Sequence, residues 1–176
     1  MKFAGTAIAG VFVLDLERIE DERGFFARVW CRDEALRHGV DPAVAQVNTT
    51  YSLRRGTVRG MHFQAEPHAE TKVVRCTRGA VFDVAVDLRR ASPTHRQWCG
   101  VELSADNGRM LVVPPGCAHG FQALEDGTDL MYLTSQAYAR AAAGGVRHDD
   151  PAFGIRWPLP VTVVSAADAG WPSYQG

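Results

Sequence analysis

A chain of 176 residues, 46% of them hydrophobic, is long enough to bury roughly 70% of its unfolded surface and too short to suggest a second core, so residues 1–176 are read as one domain. Its 19 basic and 20 acidic residues are well mixed and leave a net charge of -1, which excludes an electrostatic footprint for nucleic acid or an anionic membrane. No apolar run approaches the roughly 20 residues of a membrane span, and Met1–Ala7 lacks the apolar stretch of a signal peptide. Cys31, Cys76, Cys99 and Cys117 include no close pair of the kind zinc ribbons and redox motifs need. A cytoplasmic protein with free thiols is expected.

In chain order, Ile8–Ile19 reads as a strand with Glu20 and Asp21 turning the chain behind it. Gly24 then leads into a second apolar strand towards Trp30, with Arg23 at the turn. Arg32–Val40 suits one short helix, Asp33 serving as its cap and Gly39 as its stop. Gln46–Ser52 alternates polar and less polar side chains, as a strand with one face on a wet cavity would; a solvated edge strand accounts for the pattern equally well. Arg54, Arg55 and Arg59 bring together charge that a diphosphate could use, and Gly60 permits a close backbone approach or a bulge beside His62.

Val73–Cys76, Gly79–Leu88, Trp98–Leu103, Met110–Pro115 and Asp129–Thr134 are short, β-rich and bounded by Gly, Pro, Asp or Asn. Evenly spaced strands without helical periods between them predict an all-β fold, a double-sheet jelly roll of the double-stranded β-helix type with a few short helices and a central mouth. From Tyr138 the chain is rich in Ala, Gly and Pro and is expected to wrap the barrel. There is no tandem repeat, and no glycine run has the spacing of a dinucleotide fingerprint or phosphate loop.

Strand alternation sends His62 and Gln64, with His119, to one face, which should be a pocket. Gly60-x-His62-x-Gln64 with Lys72 and Gly79, followed by Pro115-Gly-x-x-His119, resembles the two-part cupin pattern. Gln64 stands where cupins place a second histidine, and two histidines fall short of the three or so ligands an open metal site wants, so no metal is expected.

A closer resemblance spans nearly the whole chain. Asp21-x-Arg23-Gly-Phe-Phe26, Gln46-x-Asn48-x-Thr50-x-Ser52, Arg59-Gly-Met-His62-Phe-Gln64, Lys72, Asp83-Val-Ala-Val-Asp87-Leu-Arg89 with Ser92-Pro-Thr94, Pro115-Gly-Cys-Ala-His119-Gly-Phe121, Tyr132, Asp149-Asp-Pro151 and Ile155-Arg-Trp-Pro158 together resemble the dTDP-4-dehydrorhamnose 3,5-epimerase family. The resemblance implies a homodimeric jelly-roll enzyme, without cofactor, that inverts C3 and C5 of a 4-keto-6-deoxy sugar carried on dTDP.

These residue types suit that chemistry. Carbon next to a ketone gives up a proton only if charge moving onto the ketone oxygen is stabilised, so a base and a cation are needed: His62 and Lys72 by type. Inversion also needs an acid on the opposite face, which by resemblance is Tyr132, and Asp168 matches the carboxylate that orients the histidine. Arg23 and Arg59 are the diphosphate candidates, Phe26 is placed near the base, Gln46 and Asn48 offer directional hydrogen bonds, and His119 and Tyr138 complete the binding set. The resemblance also implies that the partner subunit supplies part of this site.

Taken singly, His62 reads as a core histidine, Lys72 as an edge charge and Tyr132 as a strand aromatic; it is their joint order that favours function. The chain departs from the family pattern at Arg28, where a glutamate is usual, and across Ala139–Gly145, which leaves room for inversion at one centre or on another nucleotide sugar. A metal-dependent cupin and a non-catalytic sugar-nucleotide binder are the other classes in view.

Overall fold

Alternate residues of the central strands are apolar, and they meet between two sheets. Val74 and Cys76, Val81 and Ala85, Leu111 and Val113, and Cys117 and Phe121 all join one buried cluster with Ile8, Val11, Leu103 and Leu130. The computed structural model, which describes residues 1–176, has thirteen strands, eleven of them in these two sheets and two in a separate hairpin, and adds two short helices. In chain order they are β1 (Lys2–Gly5), β2 (Phe12–Asp15), β3 (Ile19–Asp21), β4 (Gly24–Phe26), α1 (Arg32–Arg37), β5 (Gln46–Ser52), β6 (Val58–Gln64), β7 (Lys72–Arg78), β8 (Ala80–Asp87), β9 (Trp98–Ser104), β10 (Met110–Val113), β11 (Cys117–Ala123), β12 (Thr128–Thr134), β13 (Ala143–Gly145) and α2 (Ala166–Ala169).

One sheet runs β1-β2-β10-β7-β12-β5 and the other β13-β6-β11-β8-β9, with every neighbouring pair of strands antiparallel. This is the double-stranded β-helix of the cupin-type jelly roll. The outer face of the first sheet is covered by Ala35 of α1 and by Val40, packed on Leu14, Val73, Met110 and Val112. The outer face of the second is covered by the segment after β13, where Val146 and Phe153 pack on Met61, Val84, Val86 and Ala118. The wrapping tail is thus a second layer of core. No helix is long and apolar enough to cross a membrane.

The first quarter of the chain differs from its sequence pattern. Ile8–Ile19 is not one strand: Gly10 turns at φ +83°, Val11 N–H donates to Ile8 O at 3.0 Å, and only Phe12–Asp15 joins the sheet, paired with β1 on one side. Ile19 belongs instead to a separate hairpin, where β3 pairs with β4 around a turn at Glu22–Arg23; Glu20 and Asp21 are strand residues. Asp33 does not cap α1. Cys31 occupies the cap with no side-chain bond, and Asp33 lies in the first turn, where its charge still favours the positive end of the helix. Gly39 does stop it: at φ +68° it donates to Leu36 O while Val40 N–H reaches Ala35 O, the paired closure of a Schellman motif.

The loop after β8 hangs on one buried carboxylate. Asp87 is fully buried and accepts from Arg89 N–H, Nε and Nη2 at 3.0, 2.8 and 2.9 Å, and from Thr94 Oγ1 at 2.7 Å, with Ser92 Oγ as a further donor. Burial alone would push its carboxyl up, but these hydrogen bonds outweigh it and hold the group far below the usual carboxylate range. A carboxyl depressed by folding contributes stability that is fully present above its unfolded value, near 3.8, and is lost as the pH falls through the folded value. Asp87→Asn is expected to lower the unfolding free energy at neutral pH by roughly 2–4 kcal/mol. It should also flatten the loss of stability below about pH 4, as read from urea unfolding across pH.

Candidate active site

Strand parity sets the problem that the site solves. Arg59 and His62 are three residues apart on β6, so a regular strand would point them to opposite faces. The pairing of β6 with β11 shows how they come to share one: His119 lies opposite His62 and Phe121 opposite Arg59, so β6 spends three residues where β11 spends two. This is a β-bulge at Gly60–Met61, and it restores the parity of Arg59 with His62. Only glycine fits there, because Gly60 sits at φ +119° and an added Cβ would lie 2.6 Å from Gly120 Cα and 2.8 Å from His119 O.

The bulge also frees a backbone donor. Gly60 N–H points at Asp168 Oδ2 at 3.1 Å, while Asp168 Oδ1 lies 2.6 Å from His62 Nε2. Asp168 is carried by α2, whose cap Ser165 accepts from the Asp168 N–H at 3.0 Å. Burial pushes the Asp168 carboxyl up, but the bonds from His62 and Gly60 outweigh it and the group lies below its ordinary value. An ionised Asp168 accepts the Nε2–H of His62, which leaves Nδ1 as the nitrogen with a free lone pair.

Across the sheet, His119 Nε2 meets the fully buried Asp83 Oδ1 at 2.8 Å, and Asp83 Oδ2 has no partner. Lys72 opens β7, its Nζ 3.3 Å from Glu70 Oε1 and 3.4 Å from the His62 carbonyl. Burial pushes the Lys72 ammonium down, opposed by Glu70 and Asp83. Tyr132 on β12 is half-buried, and burial with the nearby Glu70 raises its phenol, so it holds its proton at neutral pH.

Two cavities meet here. One, of about 470 Å³, is lined by Thr50, Arg59, His119, Phe121, Leu130 and Ser165 among others. The other, of about 790 Å³, is lined by Gln46, Asn48, Gln64, Glu70, Tyr138, Arg140 and Trp171 among others. His62, Lys72, Tyr132 and Asp168 line both, so the four proposed catalytic side chains form the wall that the cavities share. Gln46, Asn48 and Thr50 alternate along β5 onto this space, while Val47 and Tyr51 face outwards; the strand is both the edge of its sheet and one side of the cavities.

Arg59 lines the smaller cavity with its Nη2 on Tyr51 O at 2.8 Å, and Arg54 and Arg55 line neither cavity. Arg23 and Phe26 are not brought to the site within one protomer. The β3–β4 hairpin pairs only with itself, leaving Phe26 67% exposed and the Arg23 guanidinium on Asp21. Arg28 is also outside both cavities, paired with Glu34 at 3.3 Å, so its departure from the family pattern changes the surface near the amino terminus. Gln64, in the cupin ligand position, is consumed by structure: Nε2 donates to His68 O, Glu70 and Ala137 O, and Oε1 accepts from Ala139 N–H at 2.6 Å. No group of three or more His, Cys, Asp or Glu side chains converges as a metal-holding set.

Sequence reasoning gave Glu70, Asp83 and Ser165 no part in proton transfer. Glu70 was in reach of it, since two residues before Lys72 is the same strand face. Asp83 had no local signal, because its partner His119 lies 36 residues away; Ser165 had one, since a serine three residues before Asp168 is a local helix cap.

A jelly roll whose mouth sets a carboxylate-paired histidine beside a nearly buried lysine, with a protonated phenol on the same wall, defines the class of cupin-type epimerases. The chain belongs to the dTDP-4-dehydrorhamnose 3,5-epimerase family, whose sequence model matches residues 5–176. It is 45% identical to the dTDP-4-dehydrorhamnose 3,5-epimerase of Sinorhizobium fredii over 98% of this chain and 89% of that one. The crystal structure of dTDP-4-dehydrorhamnose 3,5-epimerase from Bacillus anthracis with TDP and PPi bound matches with a TM-score of 0.94 at 39% identity, covering 98% of this chain and 99% of that one. That of dTDP-6-deoxy-D-glucose-3,5-epimerase from Legionella pneumophila in complex with dTDP-4-keto-L-rhamnose matches with a TM-score of 0.89 at 33% identity, covering 99% of each chain.

The His62 tautomer can be checked without substrate. Long-range ¹H–¹⁵N spectra at mildly alkaline pH are expected to show the Nε2–H form in the native protein and a mixture in Asp168→Asn, whose amide no longer favours one ring nitrogen. An unchanged ring spectrum in the variant would show that Asp168 does not set the tautomer.

Proposed function

We propose that this protein inverts C3 and C5 of a dTDP-linked 4-keto-6-deoxyhexose, without metal or cofactor, in deoxysugar biosynthesis. The observation that carries the reading is the shared wall: His62, Lys72, Tyr132 and Asp168 stand where two cavities join, so one reacting sugar can be touched by all of them. Each cavity is within the range of ligand pockets, and together they suit a substrate with two parts, a sugar and a nucleotide.

In this reading His62 takes the proton from the carbon beside the ketone, and its imidazolium is stabilised by Asp168. Lys72 holds the charge arriving on the ketone oxygen, inside a site where burial makes that interaction stronger than in water. Tyr132, kept protonated by burial, gives its proton to the opposite face and is reloaded from solvent. The same steps at the second flanking carbon complete the inversion. Arg59 and His119 then lie towards the sugar and diphosphate, and Gln46, Asn48 and Tyr138 towards the nucleotide.

A homodimer completes this reading. Ile19, Phe25 and Phe26 on the projecting hairpin, with Val47 and Tyr51 on the edge strand β5, are exposed apolar side chains that a monomer leaves uncovered. A second copy seated there would cover them and would bring Arg23 and Phe26 of the hairpin to a site they do not reach in their own protomer. The four cysteines are all free, as a cytoplasmic location would have them.

Solvent deuterium wash-in at C3 and C5 of dTDP-4-keto-6-deoxyglucose, followed by NMR, tests the reaction; absence of exchange in the native protein would overturn it, and activity lost to a chelator and restored by one divalent ion would overturn the cofactor-free mechanism. Two variants then separate the roles. Lys72→Ala is expected to slow exchange and inversion together by roughly 10²–10³-fold, the usual loss for an oxyanion partner. Tyr132→Phe should still let His62 remove and return a proton on its own side, so exchange with retained configuration outruns inversion. Inversion at the native rate in Tyr132→Phe would assign the acid elsewhere.

A further inference from the structure

We propose that Glu70 is the counter-ion that keeps Lys72 charged within the cavity wall, and so is a positioning residue for the step in which the lysine holds the enolate oxygen; the proposal deepens the epimerase reading and rests on it. Glu70 and Lys72 are both nearly buried, with 9% and 12% of their side-chain surfaces exposed, and their charged atoms are 3.3 Å apart. The carboxylate is not free to swing away. Its second oxygen accepts Gln64 Nε2 at 3.0 Å, and Gln64 is itself fixed to His68 O, Ala137 O and Ala139 N–H.

The other charged and titratable groups around Lys72 are otherwise engaged. Asp83 on β8 is held by His119, Asp168 on α2 by His62 and Gly60, and Arg59 and His119 bring no negative charge; Tyr132 on β12 holds its proton. Glu70 is the one anion in ion-pair contact with the ammonium. Burial drives Lys72 towards its neutral form, and Glu70 is the first influence opposing it, followed by Asp83. A neutral amine could still donate a hydrogen bond to the ketone oxygen, but it would bring no charge to the enolate.

The sign of the effect follows. Removing the Glu70 charge lowers the Lys72 pKa further, so the fraction of charged lysine falls at a lower pH and the basic limb of the rate profile moves towards acid. The acid limb, set by the base, should not move with it.

Glu70→Gln is the test, because its amide oxygen can still accept from Gln64. In the native protein and the variant, two quantities are followed across pH: the rate of deuterium wash-in, and the labelling of the Lys72 amine by trace acetic anhydride, read by mass spectrometry of the peptide. Both the basic limb and the labelling midpoint are expected to move down by about one to three pH units. A limb that moves down by one pH unit means about a tenfold loss of rate on the alkaline side. Glu70→Asp, which keeps the charge, should lie closer to the native protein than to Glu70→Gln in both quantities. An unmoved limb and midpoint in Glu70→Gln, or a Glu70→Asp profile displaced as far as that of Glu70→Gln, would overturn the proposal and leave Asp83 as the counter-ion. Because labelling needs no substrate, a native protein that fails to exchange deuterium would sink the epimerase reading while the midpoint still decides the pairing of Glu70 with Lys72.

Discussion

The site depends on a buried carboxylate that must be satisfied. Asp168 is 6% exposed, and an ionised carboxylate taken that far from water costs several kcal/mol unless donors replace its hydration. Its donors come from β6: the ring of His62 and the N–H of Gly60, the latter released from the ladder by the bulge. One anion therefore locks the last helix onto the central sheet and at the same time fixes the ring of His62. Losing the bulge would remove a donor and send Arg59 and His62 to opposite faces, and keeping it with any other residue at Gly60 would drive a Cβ into Gly120. Geometry, charge and fold are joined at that position, and none of the three can be changed alone.

The rest of the wall repeats the device with different partners. His119 is fixed by Asp83, Lys72 by Glu70, and the loop after β8 by Asp87. Each is a buried or nearly buried carboxylate; Asp83 and Asp87 are placed by β8, and Glu70, in the connection just before β7, is held by Gln64. Dipoles and charges held in this way need not reorganise as charge moves during a reaction, which is the main source of transition-state stabilisation in a site that excludes water. Their separation also divides labour. Asp168 leaves His62 Nδ1 as the ring nitrogen with a free lone pair, and the burial of Tyr132 keeps its phenol protonated.

Much of this was legible in the sequence because strands report themselves locally. Alternation over Gln46–Ser52 fitted a cavity-facing strand and a solvated edge strand equally, and β5 is both; Gly60 announced a bulge or close approach, and the His62, Lys72 and His119 segments each read as strand. What escaped was set by distant contacts. β1 is four residues long with little alternation, and it is a strand only because β2 pairs with it. α2 is four residues long, too short for a helical period to show, and is held by Ser165 and by what Asp168 binds. Ile8–Ile19 looked continuous because apolar and β-branched residues run through it, and the turn at Gly10 depends on Ile8 folding back into the core. The separation of Arg23 and Phe26 from the cavities was equally unreadable, since a hairpin's own sequence says nothing of where it projects.

That separation bears on how the substrate is handled. The four shared side chains stand at a boundary, with Gln46 and Asn48 of β5 on one side and Thr50, Arg59, His119 and the apolar Phe121 and Leu130 on the other. A ligand reaching across the boundary is held at two places, so contacts remote from the reacting carbons can contribute to aligning them. A free sugar would meet the same wall with its ketone unfixed and would lose that contribution. The fold explains why the wall itself can stay constant while recognition varies: His62, Lys72 and Tyr132 lie on strands paired on both sides, whereas Tyr138, Arg140 and Ala143 lie on the segment beyond β12 and at the sheet edge, where a side chain can change without disturbing the ladder. The departures of this chain from the family pattern across Ala139–Gly145 fall in that tolerant segment, next to the larger of the two cavities, and leave His62, Lys72, Tyr132 and Asp168 untouched.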